Sequence, residues 1–132
     1  MLKVRIGLFI FMLSFATICV GGGYTKNDAR NVVNQYFAAL SQGDILAIKD
    51  VIGGKILQKR RRLLDNPTYP AFLSKIYQSA SFEIVSIELT ASKGVKVTAK
   101  ITLNNNESMP VELLLQADPR VNRLLIVDER EI

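Results

Sequence analysis

The chain of 132 residues contains no histidine and only one cysteine. Without histidine, zinc sites, Ser-His or Cys-His nucleophiles and a histidine general base all lose their usual residue. One cysteine, Cys19, rules out an intrachain disulfide. No acidic residue occurs before Asp28, and no internal repeat or low-complexity segment interrupts the sequence. The formal net charge is +5. Lys3 and Arg5 belong to an N-terminal leader, and without them fifteen basic side chains face twelve acidic ones, a net of +3 that calls for no nucleic-acid partner. The composition therefore calls for no metal and no cofactor. With 48% hydrophobic residues the chain is long enough for one domain with its own core and too short for two.

Residues Met1 to Arg5 carry two positive charges, and Ile6 to Val20 has none. This apolar run has the length of a signal-peptide core and falls short of the roughly 20 residues that span a bilayer. Export follows, with three possible ends. Signal peptidase can cut in the small-residue run, for example after Gly22. Cys19 can be lipidated, since Ala16-Thr17-Ile18-Cys19 resembles a bacterial lipobox, although Ile18 stands where such sites want a small residue. Or the segment stays as an uncleaved anchor. Gly21-Gly22-Gly23 is then a flexible tether. Residues 1–23 are read as leader plus linker and 24–132 as the domain, placed at the periplasm or cell envelope.

The run from Asp28 to Gly54 predicts two helices joined by a hinge. Ala29, Val33, Tyr36, Phe37 and Leu40 recur at three- and four-residue spacing, one apolar stripe. Gly43 suits a left-handed C-terminal cap, and Asp44 can cap a second helix through Ile45, Ile48 and Ile52. Gly53-Gly54 breaks it. Lys55 to Leu64 resumes in helical style, with Ile56, Leu57, Leu63 and Leu64 around the basic run Lys59-Arg60-Arg61-Arg62. A helix turns about 100° per residue, so four consecutive charges cannot all face a core. They form either a solvated helix face or a docking patch for an acidic partner or anionic headgroups. After Asn66-Pro67 a further helix carries Phe72, Leu73, Ile76, Tyr77 and Ala80 inward. Tyr36, Tyr69 and Tyr77 are candidates to line a ligand pocket with their hydroxyls, or else core residues whose hydroxyl reaches the surface.

From Ser81 the period becomes twofold. Phe82 and Ile84 slip by one against Val85, Ile87 and Leu89, the mark of a bulge or bend. Val95 to Leu103 alternates strictly, Met109 to Ala117 alternates again, and Arg123 to Glu129 does not, which predicts a last strand more buried or more central than its neighbours. The tail Asp128-Glu129-Arg130-Glu131 reads as a solvated strand end. Helices segregated before four antiparallel strands give an α+β domain, three helices covering the apolar face of a curved sheet.

The stretch VVNQYFAALSQGDILAIKDVI, with the strand run behind it, resembles the NTF2-like (cystatin-like fold) superfamily, in particular small exported or lipoprotein-type bacterial domains. The resemblance implies a cone between helices and sheet. It departs from the family pattern at Lys55 to Leu64, which reads as helix where many members place a strand or hairpin. Family enzymes use an acid or histidine base deep in the cone with a tyrosine or acid donor opposite. Here Asp44 is a cap, Asp50 and Asp65 lie near helix ends, and only Glu83 or Glu88 could be turned inward by the slip. The first expectation is a non-catalytic envelope domain that binds a protein partner or a small apolar ligand in the cone. One alternative is an isomerase- or dehydratase-like enzyme using a tyrosine donor with a buried acid. Another is an interaction subunit of a secretion or conjugation apparatus, with a membrane anchor and a homodimer surface.

Overall fold

The structure is a computed structural model that describes residues 24–132, so the cleavage region, Cys19 and the glycine tether lie outside the described residues. Four helices, α1 (Lys26–Gln42), α2 (Ile45–Val51), α3 (Gly54–Leu64) and α4 (Tyr69–Tyr77), precede four strands, β1 (Ser81–Leu89), β2 (Val95–Thr102), β3 (Ser108–Asp118) and β4 (Arg123–Glu131). The strands form one antiparallel sheet in the order β1-β2-β3-β4. Among the described residues no helix is long and apolar enough to cross a membrane.

α1 begins with a reciprocal cap. The Asp28 amide donates to Thr25 Oγ1 at 3.1 Å and the Thr25 amide donates to Asp28 Oδ2 at 2.8 Å. It ends at Gly43 with φ +64°, and a Cβ there would stand 2.4 Å from the Pro70 carbonyl oxygen, so the hinge glycine also lets α4 approach α1. Asp44 then accepts from the Ala47 amide at 3.2 Å, as the sequence predicts. The inward stripe of Ala29, Val33, Tyr36, Phe37 and Leu40 is buried. α1 lies against β1, β2 and β4, α4 packs on α1, and α2 and α3 pack against β4. Among the described residues the helices number four, and they do not all lie on the sheet.

The inner sheet face is built from Val95, Val97, Ala99, Ile101, Val111, Leu113, Leu115 and Ile126, all buried. Phe37 stacks on Phe82 at 4.5 Å between ring centroids, which adds about 1 kcal/mol to the area that the pair buries. The slip expected at Val85 is a bulge: Ile84 pairs with Ala99 and Ser86 with Thr98, leaving Val85 unpaired and outside. Its effect is to keep both Ile84 and Ile87 on the inner face. Glu83 and Glu88 therefore both face outward, opposite Lys100 and Lys96.

Three expectations are corrected by packing. β4 is buried but not central: it is an edge strand whose outer side is covered by a parallel bridge from Ile52 to Ile126, by the Gly53 amide donating to the Ile126 carbonyl at 2.8 Å, and by α3. Phe72, expected on an apolar stripe, is 55% exposed because α4 packs on α1 through its other side, and Leu63 on α3 is 46% exposed. The acidic tail is not uniformly solvated. Leu114 pairs with Asp128 and Leu115 with Ile126, so Val127 is bulged and Glu129 falls opposite Leu113 on the inner face.

Candidate functional site

Three elements bring one polar cluster together under α1. The stripe of α1 carries Tyr36 fully inside, with no exposed surface. α3 contributes Arg60, which lies four residues after buried Ile56 and four before buried Leu64, so that of the four basic residues it falls on the apolar stripe. The bulge at Val127 delivers Glu129 from β4. The Tyr36 hydroxyl donates to Glu129 Oε1 at 2.7 Å, and Arg60 Nη2 donates to the same oxygen at 2.9 Å. The side chains of Arg60 and Glu129 retain 25% and 16% of their exposure, so this is a partly buried ion pair completed by a buried phenol.

The field at the cluster follows from this geometry. Burial, then the negative charge of Glu129, pushes the Tyr36 phenol well above its ordinary range, against the opposing pull of Arg60. Burial works against the Arg60 cation, but the facing Tyr36 and Glu129 outweigh it and hold the guanidinium above its ordinary value. Tyr77 is raised as well, by burial first and then by Glu129. Tyr69 and Tyr77 both add to the field at Arg60. Of the three tyrosines singled out from the sequence, Tyr36 bonds the carboxylate directly, while Tyr69 and Tyr77 lie within electrostatic range of the guanidinium; neither Glu129 nor Arg60 was expected there.

Their surroundings differ. Tyr36 has spent its hydroxyl on Glu129. Tyr69 is buried at the start of α4, stacks on Phe72 at 6.2 Å, and backs a surface groove of about 300 Å³ formed with Leu63, Asn66, Thr68 and Phe72. Tyr77 is half-buried and lies 6.2 Å from Phe82.

The run Lys59 to Arg62 is divided by the helix rather than presented as one patch. Lys59, with Lys55 one turn earlier, faces Asp128 at 3.5 and 3.7 Å, on the side of β4 away from Glu129. Arg61 borders a groove of about 390 Å³ with Lys49, Leu57, Leu64 and Asp65. Arg62 is exposed, and among the described residues neither Arg61 nor Arg62 has an acidic partner at ion-pair distance. On the outer sheet face Lys96 stands between Glu88 and Glu112 at 3.6 and 3.9 Å, and Arg130 donates through Nε to Glu112 at 2.8 Å, a ladder of alternating charge across the sheet.

Glu129 is the residue that sequence reasoning missed. Its trace is the failure of alternation in Leu124-Leu125-Ile126-Val127, which signals an inserted residue as well as burial. Strict alternation from Ile126 would have turned Asp128 inward. Arg60 could have been singled out by its spacing from Ile56 and Leu64. Among the described residues no group of three or more acidic or cysteine side chains is arranged to hold a metal ion. Chemically, the cluster presents a neutral phenol and a fixed cation to one carboxylate oxygen, and both donors are already engaged. Comparison of the chain with protein-family models, with curated proteins and with solved structures finds no match in any of the three.

Proposed function

We propose that the chain is an exported, membrane-tethered binding domain of NTF2-like build that docks a protein partner and carries out no reaction. The observation that carries this reading is the corner where α3 meets α4: Leu63 and Phe72 stand exposed around the groove backed by Tyr69, with Arg61 and Arg62 nearby on α3. Exposed aromatic and apolar side chains, with arginines at the adjoining positions of α3, have the composition of a protein-docking surface, and they favour a partner offering an apolar side chain beside an acid. The resemblance in the α1-hinge-α2 stretch, followed by a four-stranded meander, supports the NTF2-like build and the cone. The space between α1 and the sheet is filled by the domain's own Tyr36, Phe37 and Phe82, which favours a protein partner over a small apolar ligand. The test is site-specific photocrosslinking in cells at Phe72 and at Asn105, on the far hairpin. A discrete adduct at Phe72, lost when Leu63 is changed to Asp, is expected, and identical results at the two positions would overturn the reading.

A second reading is favoured by one distance. An ionisable acid within hydrogen-bonding reach of a tyrosine, Glu129 and Tyr36 at 2.7 Å, is one part of what an isomerase- or dehydratase-like enzyme requires, the other being a closed, water-accessible cavity around them. Against it, Glu129 Oε1 already accepts two bonds. A substrate would have to displace one of them.

A further inference from the structure

Tyr24, Thr25 and Lys26 at the start of the described chain lie against the β1–β2 hairpin, and with Leu89, Thr90, Lys93 and Gly94 they line a groove of about 550 Å³. Leu89 is 59% exposed although it is a large apolar residue at a strand end, and Tyr24 is half-buried beside it. Two lysines and no acid line this groove. The nearest acids in sequence are engaged elsewhere, Asp28 in the α1 cap and Glu88 with Lys96. We propose that this pole of the domain docks on an anionic bilayer surface, Leu89 and Tyr24 entering the interface while Lys26 and Lys93 meet headgroup phosphates. The proposal rests on the tethered reading given above.

Two features of the sequence select this occupant. The chain leaves the groove at Tyr24, and only Gly21-Gly22-Gly23 separates it from the leader, a span of at most roughly 10 Å. If the leader or a lipid on Cys19 holds the membrane, this pole has no other place to be than beside the headgroups. The competing occupant is the leader itself, folded back. It is apolar, but residues 1–23 carry Lys3 and Arg5 and no acid, so near Lys26 and Lys93 it meets like charge, whereas anionic headgroups meet opposite charge. A tyrosine, an exposed leucine and lysines that can reach outward are the side chains that suit an interfacial position.

The experiment uses the full chain inserted in vesicles, with Leu89→Trp as the probe and Asn105→Trp, on the hairpin at the other end of β2, as the control. In vesicles containing about one third phosphatidylglycerol, Leu89→Trp emission is expected to shift to the blue and to be quenched by brominated lipid, while Asn105→Trp stays as in water. Changing Lys26 or Lys93 to Gln is expected to lower the docked-to-undocked ratio about fivefold each. Both sites tolerate the change, one at a helix start and one in a turn. A blue shift without bromine quenching, unaffected by lipid charge, means that the leader fills the groove, and a shift that grows with protein density means a second copy. Either overturns the proposal. A chain that stays with the vesicles but shows water-like emission at Leu89→Trp overturns the docking alone, whereas a chain that washes off them overturns the tether and the docking with it.

Discussion

The Tyr36 hydroxyl donates to Glu129 at 2.7 Å across 93 positions of sequence, and it ties the first helix to the last strand at a point where both are turned toward the core. Because Arg60 meets the same oxygen, the bond lies inside a three-residue unit whose members depend on one another.

Removing one member should therefore cost more than removing the whole unit. Tyr36→Phe deletes a bond to a charged acceptor and is expected to lower unfolding free energy by about 2 kcal/mol. Arg60→Met leaves the Glu129 carboxylate half-buried without its cation, a loss of about 2 to 3 kcal/mol, and the triple variant Arg60→Met, Glu129→Leu, Tyr36→Phe, which leaves no polar partner buried alone, is expected to regain most of it. Urea denaturation of the three variants checks this. A triple variant no more stable than Arg60→Met would show that the cluster is not the source of the loss.

The same cluster predicts an alkaline weakness. The folded state holds the Tyr36 and Tyr77 phenols above their ordinary values, so it binds protons that the unfolded chain releases. Their stabilising contribution is fully present below the ordinary tyrosine value of about 10 and declines as pH rises through it toward the raised values. Denaturation midpoints at pH about 8 and about 10.5 are expected to differ clearly in the parent chain and less in Tyr36→Phe.

At the hinge, Gly43→Ala is expected to destabilise by about 2 kcal/mol or more. The substitution forces a side chain into a left-handed conformation and places its Cβ 2.4 Å from the Pro70 carbonyl, so α4 must move away from α1. Circular dichroism melting of the variant gives the measure, and an unchanged melting temperature would exclude the close approach.

Two phenylalanines at first sight equivalent should part company. Phe37→Ala removes a buried ring stacked on Phe82 and is expected to cost about 3 to 4 kcal/mol. Phe72→Ala, more than half exposed, should change stability by less than about 1 kcal/mol while weakening partner capture. Equal losses of stability would place Phe72 in the core after all.

What the sequence made legible was whatever depends on local period. The α1 stripe, the Gly43-Asp44 hinge and the slip at Val85 all appear where spacing puts them, because each is decided by a few neighbouring residues. The orientation of Glu129 is not local: it depends on which residue of β3 pairs with which residue of β4, and a single bulge at Val127 reverses every side chain after it. Phe72 was misread for a related reason, since a helical stripe shows which residues share a face but not whether a neighbour covers that face. The tyrosines could be named from their amphipathic character. The groups they gather around could not, because Arg60 was hidden in a run of like residues and Glu129 in a charged tail.

The sheet has one closed side and one open side. Ile52, Gly53 and α3 seal β4, while β1 keeps an outer edge without a strand partner among the described residues, and such an edge invites a foreign strand to zip on. The Val85 bulge interrupts the row of backbone donors and acceptors at mid-strand, and Glu83 and Glu88 flank the interruption with negative charge. An incoming copy would find only four residues in register on either side before losing step and meeting repulsion. The kink that keeps two isoleucines inside thus also acts as a guard against fibrous association.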